Sequence, residues 1–264
     1  HKGSGEMTKE VFIKDVMVKP TTIAKSAKIT EALDKMLSEG IDPLIAVHNN
    51  SVIGTVSRQA IAEKLGSKQN ADLAPAAIHV ASVVEEDFTS VYPDESINIL
   101  IPLLQRYKLV VVYDGEHNLI GQVGAVDLLK KVKPQNSMDE VIEKAVTIEA
   151  NERVVHLRRR MLDDNITRFI VTEHEKFTGI VTETDVAIAM RKFRESVGDK
   201  HQDHRIRNLL VKDIMSAPLL SVERTASVSG VIDTMVKKNI SSIAVMDKSK
   251  LFGIITRRSL VNAM

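Results

Sequence analysis

Residues 179–190 contain the side chains best suited to bind a ligand. Residues 179–181 are apolar and predict the end of a buried strand, and residues 186–190 predict the first turns of a helix. Between them, Thr182 and Asp185 place a hydroxyl and a carboxylate at the start of that helix, beside backbone N–H groups that the helix leaves free. This combination suits a ligand with a phosphate at one end and a diol next to it.

The same frame recurs, so an internal repeat organises the whole chain. An anchoring glycine follows an apolar strand in each of four copies, at Gly54, Gly121, Gly179 and Gly253. Helix-like stretches precede these glycines and open at Ile29, Ile97, Val154 and Val228. The spacing between the two is identical in three copies, and the second copy has one deletion. The turns that follow the glycines run from Ser57 to Ala60, Gly124 to Asp127, Thr182 to Asp185 and Thr256 to Ser259.

Each copy predicts a short β piece, an amphipathic helix, a β-hairpin and a second helix. In the first copy the β piece ends at Ile23, the helix covers residues 29–37, and the hairpin strands cover residues 44–47 and 52–56. The Asn-Asn-Ser sequence between those strands is typical of a hairpin turn. A unit of this size cannot bury both of its faces alone, so the units are expected to pair sheet against sheet.

The joins between copies indicate two halves of two copies each. Residues 133–137 have the composition of a linker and separate the second copy from the third. Residues 66–79 connect the copies of the first half. The corresponding connection in the second half, residues 191–208, is long and charged and predicts a helix extension with a loop.

Composition excludes several classes of function. The formal net charge is +1, which argues against a dedicated nucleic-acid or membrane surface. There is no cysteine, and therefore no disulfide framework, thiolate metal site or cysteine nucleophile. No apolar run is long enough to span a bilayer and no segment resembles a signal peptide, so a cytoplasmic location is expected. His1 to Gly5 resemble an expression remnant, and we assign residues 1–7 to no repeat.

The repeated pattern resembles the cystathionine β-synthase (CBS) domain. The features that carry the resemblance are a glycine, two apolar residues and a [Thr/Ser]-x-x-Asp turn after a helix and hairpin, together with the near-identical lead segments at residues 14–17 and 212–215. Four copies in two tandem pairs are similar to the γ subunit of AMP-activated protein kinase and to archaeal four-copy proteins. The resemblance implies an α+β fold of four β-α-β-β-α repeats. We place them at residues 8–66, 80–133, 138–193 and 206–264, in pseudo-twofold modules 8–133 and 138–264.

The resemblance also implies that adenosine ligands bind in clefts shared by paired copies, without catalysis. The turn of one copy would hold ribose and phosphate, and the partner copy would supply a slot for adenine. In the third copy the turn residues would be Ile180, Thr182 and Asp185. The fourth-copy slot that faces them would consist of Pro218, Leu219, Leu220, Ile240, Ser241 and Ser242, with Arg258 and Lys212 to neutralise phosphate. An ionised Asp185 is a suitable acceptor for two ribose hydroxyls.

The other three turns are less complete versions of this site. The second turn keeps Asp127 but has Gly124 in place of the hydroxyl. Its slot would use Val16, Pro20, Thr21, Ile41 and Pro43 of the first copy. The first turn ends in Ala60, which cannot accept a hydrogen bond from ribose, although Ser57 could still contact phosphate. The fourth turn has Thr256 and ends in Ser259, and with Arg168 from the third copy it is better suited to phosphate than to ribose.

Simpler interpretations exist for each of these residues. Asp185 could be a helix N-cap, although Ala60 at the equivalent position indicates that the fold does not require a cap there. The arginine runs at residues 158–160 and 257–258 are more often solvated helix faces than phosphate ligands. Met36, Met161 and Met235 are expected in the core. His201 and His204 have a spacing that could hold a metal, but a polar loop is the expected interpretation.

The sequence therefore predicts a non-catalytic regulatory protein that binds AMP, ADP or ATP as ligands and needs no cofactor. Ligand binding would shift the packing of the modules and alter contact with a regulated protein partner that the sequence does not identify. A homodimer is expected from the resemblance. The alternatives are a scaffold with vestigial pockets and a sensor of S-adenosylmethionine. An enzyme has little support, because the chain offers no nucleophile–base pair, metal cluster or separate catalytic domain.

Overall fold

The computed structural model describes residues 10–67, 73–196 and 199–264, without the side chains of residues 199–203. Within these ranges the α-helices are α1 (Ile13–Val16), α2 (Ile29–Glu39), α3 (Arg58–Gly66), α4 (Leu100–Arg106), α5 (Ala125–Leu129), α6 (Met138–Val141), α7 (Val154–Asp163), α8 (Glu183–Ser196), α9 (Asp199–Asn208), α10 (Val211–Ile214), α11 (Val228–Lys238) and α12 (Arg257–Asn262). The strands are β1 (Thr22–Ala24), β2 (Leu44–His48), β3 (Ser51–Val56), β4 (Thr89–Val91), β5 (Leu109–Tyr113), β6 (Leu119–Gly124), β7 (Thr147–Glu149), β8 (Arg168–Glu173), β9 (Lys176–Thr182), β10 (Ser221–Glu223), β11 (Ser242–Asp247) and β12 (Lys250–Thr256). Short 3₁₀ turns cover Pro75–Ala77, Val80–Ser82 and Ile97–Ile99.

The four repeats each form a three-stranded sheet of the same topology. In the first, β1 runs parallel to β2, and β2 pairs antiparallel with β3. Asn49 and Asn50 adopt left-handed backbone conformations with φ of 49° and 64°, which closes the tight turn between β2 and β3. The predicted α+β repeat architecture is confirmed.

The amphipathic helix that precedes the hairpin in each repeat packs against the core with one apolar face, as the sequence pattern predicts. In α2 the side chains of Ile29, Leu33 and Met36 are fully buried. The helix ends where Gly40 adopts a left-handed conformation with φ of 64°, which a residue without a Cβ adopts at little cost. Met235 is buried in the fourth repeat and Met161 packs partly buried against the core of the third, so the methionines have the predicted packing role.

Sheets pack face to face within each half. Ile45 from β2 shares one cluster with Leu109 and Val111 from β5, which joins the first and second repeats. Ile170 from β8 shares another with Ala244 from β11, which joins the third and fourth. This is the predicted pairing of sheet against sheet.

Helices pack between the halves. The largest core cluster combines buried residues of the first and third repeats, and α3 lies against α8. In the same way, α12 of the fourth repeat packs on α4 and α5 of the second. Arg194 of α8 is 7% exposed and donates hydrogen bonds to the carbonyl oxygens of Leu65 (3.0 Å) and Leu73 (2.6 Å). The halves are therefore joined by a shared core as well as by the linker.

In each repeat the segment that precedes the first strand, which we call the lead segment, crosses over to the partner repeat within the half. The backbone of Ser216 pairs with Ile180, and the backbone of Glu85 pairs with Thr55. Val18 pairs with Gln122 and Glu143 pairs with Ile254 in the same way. We call Val18, Glu85, Glu143 and Ser216 the crossing residues.

The crossing of the lead segments explains why glycine occupies the anchoring positions that define the repeat. A Cβ on Gly179 would lie 2.5 Å from the carbonyl oxygen of Ser216, and a Cβ on Gly54 would overlap the carbonyl oxygen of Glu85. Each of these contacts lies where a lead segment passes over a partner strand. Glycine is needed there because only a residue without a side chain permits such close backbone approach.

The connection at residues 191–208 contains more helix than the sequence indicates. The helix α8 continues to Ser196, and α9 covers the segment predicted as a polar loop around His204. That part of the prediction is wrong: a highly charged segment here forms a second helix. The side chain of His201 and residues 1–7 lie outside the described residues. Over the described ranges, no group of ligating side chains could hold a metal ion, and no helix is both long and apolar enough to cross a membrane.

Candidate functional site

The turn of the third repeat brings together the hydroxyl and the carboxylate that the sequence singles out. The Oδ2 atom of Asp185 accepts hydrogen bonds from the backbone N–H (2.9 Å) and the hydroxyl (3.3 Å) of Thr182. The Oδ1 atom accepts from the hydroxyl of Ser216 at 2.9 Å. Asp185 thus caps the start of α8 with one oxygen and faces the crossing segment of the fourth repeat with the other.

Burial raises the pKa of Asp185 above the ordinary value, and hydrogen bonds from Thr182 and Ser216 oppose that shift. The carboxylate is only half-buried, so it borders solvent on one side. A carboxylate has about four lone-pair positions, and three donors leave room for another. The capping interpretation and the ligand interpretation are therefore compatible in this geometry.

The expected partner slot is divided between two places. Leu219 follows the crossing segment and packs with Ile180 in the interface between the third and fourth sheets. Leu219 also lines an open cavity of about 290 Å³ together with Glu175, Lys176, Phe177, Ser221, Met246 and Ser249. Pro218 and Leu220 are exposed beside it.

The remaining slot residues lie at the start of β11. Ile240 packs partly buried against the core of the fourth repeat, and the carbonyl oxygen of Ser241 accepts a hydrogen bond from the backbone N–H of Arg257 at 3.4 Å. Ser242 pairs with Thr256 across the hairpin. This places the three residues beside the turn of their own repeat.

In the second pocket the turn carboxylate is buried, and the amide of Gln122 from the same repeat occupies part of the expected slot. Asp127 is 8% exposed and its Oδ2 atom accepts from the backbone N–H of Gly124 at 2.8 Å. Burial is the main reason that the pKa of Asp127 is raised. The buried amide of Gln122 accepts from the backbone N–H of Thr21 at 2.8 Å and so occupies a donor of the expected slot.

The other second-pocket residues are mostly engaged in packing. Val16 and Pro43 are buried, and Pro20 is half-buried. Ile41 packs against the core of the first repeat, and its carbonyl oxygen accepts from Arg58 at 3.1 Å.

The turns without aspartate are closed by other groups. In the first repeat, Ser57 caps the backbone N–H of Ala60 (3.0 Å), and its hydroxyl donates to the carboxylate of Glu85 (3.1 Å). In the fourth, Thr256 and Ser259 cap each other and are both buried. The hydroxyl oxygen of Thr256 is thus already engaged.

The structure assigns different positions to the two neighbouring arginines of α12. Arg258 is exposed and donates to the carbonyl oxygen of Arg106 at 3.2 Å. Arg257 is half-buried. Its pKa is lowered first by burial and then by the charge of Arg168, while Asp127 opposes the shift. The interpretation of residues 257–258 as a solvated face is therefore wrong for Arg257. Lys212 is exposed.

Charged groups of several repeats meet near these turns. The ammonium group of Lys108 in the second repeat lies 3.9 Å from Asp42 in the first and 4.0 Å from Glu183 in the third. Glu183 is buried, and within the described chain its Oε2 atom has no hydrogen-bond partner. Arg58 of the first repeat contacts the hydroxyl of Thr184 in the third at 3.4 Å.

Sequence reasoning missed Ser216, Gln122 and Glu85, and it placed Arg257 on a solvated face. The first three act through the exchange of lead segments, which the sequence does not reveal directly. A signal was available for Ser216, because it follows Met215 where Val18 follows Met17 in the otherwise near-identical first lead segment.

Comparison with known proteins agrees with the repeat analysis. The family model for the CBS domain matches four times, at residues 13–67, 80–134, 138–192 and 211–264. The chain is 22% identical to the uncharacterized protein MJ1225 of Methanocaldococcus jannaschii, with 94% of each chain covered. It is also 22% identical to the uncharacterized protein MJ1404 of the same organism, over 97% of this chain but only 61% of that relative.

Solved structures show the same fold. The crystal structure of MJ1225, described as a proposed archaeal homologue of g-AMPK, superposes with a TM-score of 0.79 at 21% identity and covers 96% of this chain and 99% of that one. An uncharacterized conserved protein from Pyrococcus horikoshii gives a TM-score of 0.62 at 19% identity, with the same coverage of both chains. The four family matches span most of the sequence, and each corresponds to one three-stranded repeat of the fold. This chain therefore belongs to the CBS domain family.

Proposed function

We propose that this protein binds an adenosine nucleotide in the cleft between the third and fourth repeats, with Asp185 as the acceptor for the ribose hydroxyls. The observation that supports the proposal is the position of the Asp185 carboxylate, half-buried between the Thr182 turn and the crossing residue Ser216. It meets groups from both repeats, so a ligand bound there would contact both.

The chemistry of the turn favours a ribose phosphate. One ribose hydroxyl would donate to the free acceptor position of Asp185, and the adjacent one would displace the hydroxyl of Ser216. Hydrogen bonds to an ionised carboxylate are about twice as strong as neutral ones. The start of α8 adds partial positive charge for a phosphate group. A purine ring would stack on the apolar side chains of Ile180 and Leu219.

The role that follows is regulatory rather than catalytic. Each cleft is bordered by a lead segment that belongs to the other repeat, so a ligand that favours one arrangement of the repeats would shift the packing of the module. That shift would be transmitted to a protein partner or to a second copy of the chain in a homodimer. AMP, ADP and ATP share the groups that this site would recognise.

Calorimetric titration of the protein with AMP, ADP, ATP and S-adenosylmethionine tests the proposal. We expect at least one nucleotide to bind, and Asp185→Asn to weaken it by roughly 10–100-fold through loss of the charged acceptor. The matched control is Asp213→Asn, because Asp213 caps the backbone N–H of Leu210 (2.9 Å) with an equivalent carboxylate at an exposed helix start.

The outcomes separate the alternatives. Unchanged affinity in Asp185→Asn would reject the site. Absence of binding by all four compounds would favour a scaffold with vestigial pockets, an interpretation that the mutually capped Thr256 and Ser259 already suit in the fourth turn. Binding of S-adenosylmethionine alone would make the protein a sensor of that compound.

A further inference from the structure

The crossing residues and the turn residues compensate for one another in charge. Where the turn ends in aspartate, the crossing residue that faces it is uncharged, as in the pairs Asp127 with Val18 and Asp185 with Ser216. Where the turn lacks aspartate, the crossing residue is glutamate, as in the pairs Ala60 with Glu85 and Ser259 with Glu143. Each of the four pairs therefore contains one carboxylate.

The third pocket shows that the two positions meet in space. The hydroxyl of Ser216, a crossing side chain, lies 2.9 Å from the carboxylate of Asp185, a turn side chain. A longer crossing side chain would reach the region that the turn carboxylate occupies.

The first pocket has that arrangement. The backbone of Glu85 is fixed by two hydrogen bonds with Thr55, of 2.8 and 2.9 Å. From there its Oε1 atom accepts a hydrogen bond from the hydroxyl of Ser57 at 3.1 Å. The equivalent contact in the third pocket is the 3.3 Å hydrogen bond from the hydroxyl of Thr182 to Asp185. The hydroxyl–carboxylate pair is thus preserved, with the carboxylate supplied by the other repeat.

We propose that Glu85 replaces the missing turn aspartate as the acceptor for a vicinal diol, and that the first pocket binds the ribose of an adenosine nucleotide. This inference rests on the proposed function and extends it to a pocket that the Ala60 turn leaves without a carboxylate.

Other parts of the first pocket fit the same ligand. Phe88 packs between the first and second sheets, as Leu219 does between the third and fourth. Lys108 of the second repeat reaches the first turn. Its ammonium group lies 3.9 Å from Asp42, whose other carboxylate oxygen accepts a hydrogen bond from the backbone N–H of Arg58 at the start of α3 (3.1 Å). A ribose phosphate would therefore find an acceptor, an apolar surface and a cation.

The test measures the stoichiometry and affinity of AMP, ADP and ATP by equilibrium dialysis, with 2′-deoxy analogues as probes of the diol. We expect Glu85→Gln to weaken one class of site by about tenfold or more. Glu86→Gln, at the exposed neighbouring residue, should bind as the wild type does. The double variant Ala60→Asp/Glu85→Gln returns the carboxylate to the turn and should restore the lost site.

The Asp127→Asn/Asp185→Asn variant distinguishes this inference from the proposed function. Residual binding that the 2′-deoxy analogues lack, and that adding Glu85→Gln to this variant removes, would support a Glu85 pocket. Complete loss of binding in that variant, a Glu85→Gln variant identical to wild type, or failure of Ala60→Asp to restore the site would overturn the inference alone. A wild-type protein that binds none of the three nucleotides would overturn the proposed function and this inference with it.

Discussion

The proposed binding of a nucleotide at the Asp185 carboxylate should have a characteristic dependence on pH. Burial raises its pKa, so it becomes protonated at a higher pH than an exposed aspartate, whose pKa is about 3.9. The hydroxyls of ribose bind better to the ionised form. We therefore expect AMP affinity to fall as the pH is lowered from 7.5 towards 4.5, and to be fully present above the raised pKa.

The Asp185→Asn variant provides the reference for this measurement. The phosphate group of AMP itself titrates near pH 6, which alters affinity in both proteins. Calorimetry across the pH range should show a steeper loss for the wild type than for the variant. Parallel profiles would mean that the Asp185 carboxylate does not contact the ligand.

At the residue scale, the sequence predicts side chains that belong to a repeated motif and misses those that meet the motif from elsewhere. The positions of Thr182 and Asp185 recur in register in all four turns, and in the third turn the two side chains are hydrogen-bonded to each other. The sequence names Arg258 as the phosphate ligand, but it contains no signal that separates Arg258 from Arg257. Adjacent helical residues point about 100° apart, and an arginine suits either a buried or an exposed face. Glu85 belongs to no repeated motif. Its role is recognisable only from its hydrogen bond with Ser57, which is distant in the sequence.

At the element scale, the crossing of lead segment and anchoring glycine should be a principal determinant of stability. Replacing Gly54 by alanine puts a Cβ into the carbonyl group of Glu85, at a residue whose φ is 152°. We expect Gly54→Ala to lower the free energy of unfolding by about 2–4 kcal/mol, because backbone must move to admit the methyl group. Urea unfolding measures the loss.

Gly115→Ala is the matched control for this substitution. A Cβ there would meet no atom within 4 Å, so a change within about 0.5 kcal/mol is expected. Hydrogen exchange should also accelerate at the amides of Thr55 and Glu85 in Gly54→Ala, since each donates to the other residue. Equal stability of the two variants would show that the lead segment is not held at this crossing.

The elements themselves follow from the sequence, but their exchange does not. The periodicity of residues 29–37 and the turn at Asn49 and Asn50 are local signals, and both structures form as predicted. Which sheet accepts a lead segment is a long-range choice. Sequence order alone places residues 14–17 next to the first repeat. Only the family resemblance places Val16 against the second turn, and Val16 does pack in the core of the second repeat.

At the scale of the whole molecule, the linker at residues 133–137 gives an incomplete description of the two halves. It separates the modules along the chain, while the main core cluster extends from α2 and α3 of the first repeat to α7 and α8 of the third. The apolar face of α8 is visible in the sequence. Its partner is not, because any apolar helix of a neighbouring repeat would satisfy the same pattern.

This shared core makes the two halves depend on each other for stability, and Arg194 tests that dependence. From α8 in the third repeat, its guanidinium donates to the carbonyl oxygen of Leu65 at the end of α3 and to that of Leu73 beyond it. Arg194→Met keeps the apolar stem and removes these donors, which leaves a carbonyl of the buried residue Leu65 without this partner. We expect a loss of about 2–3 kcal/mol in urea unfolding. Arg205→Met, at an exposed site on α9, should change stability by less than about 0.5 kcal/mol. If both variants unfolded at the wild-type midpoint, the contact between α8 and α3 would not couple the halves.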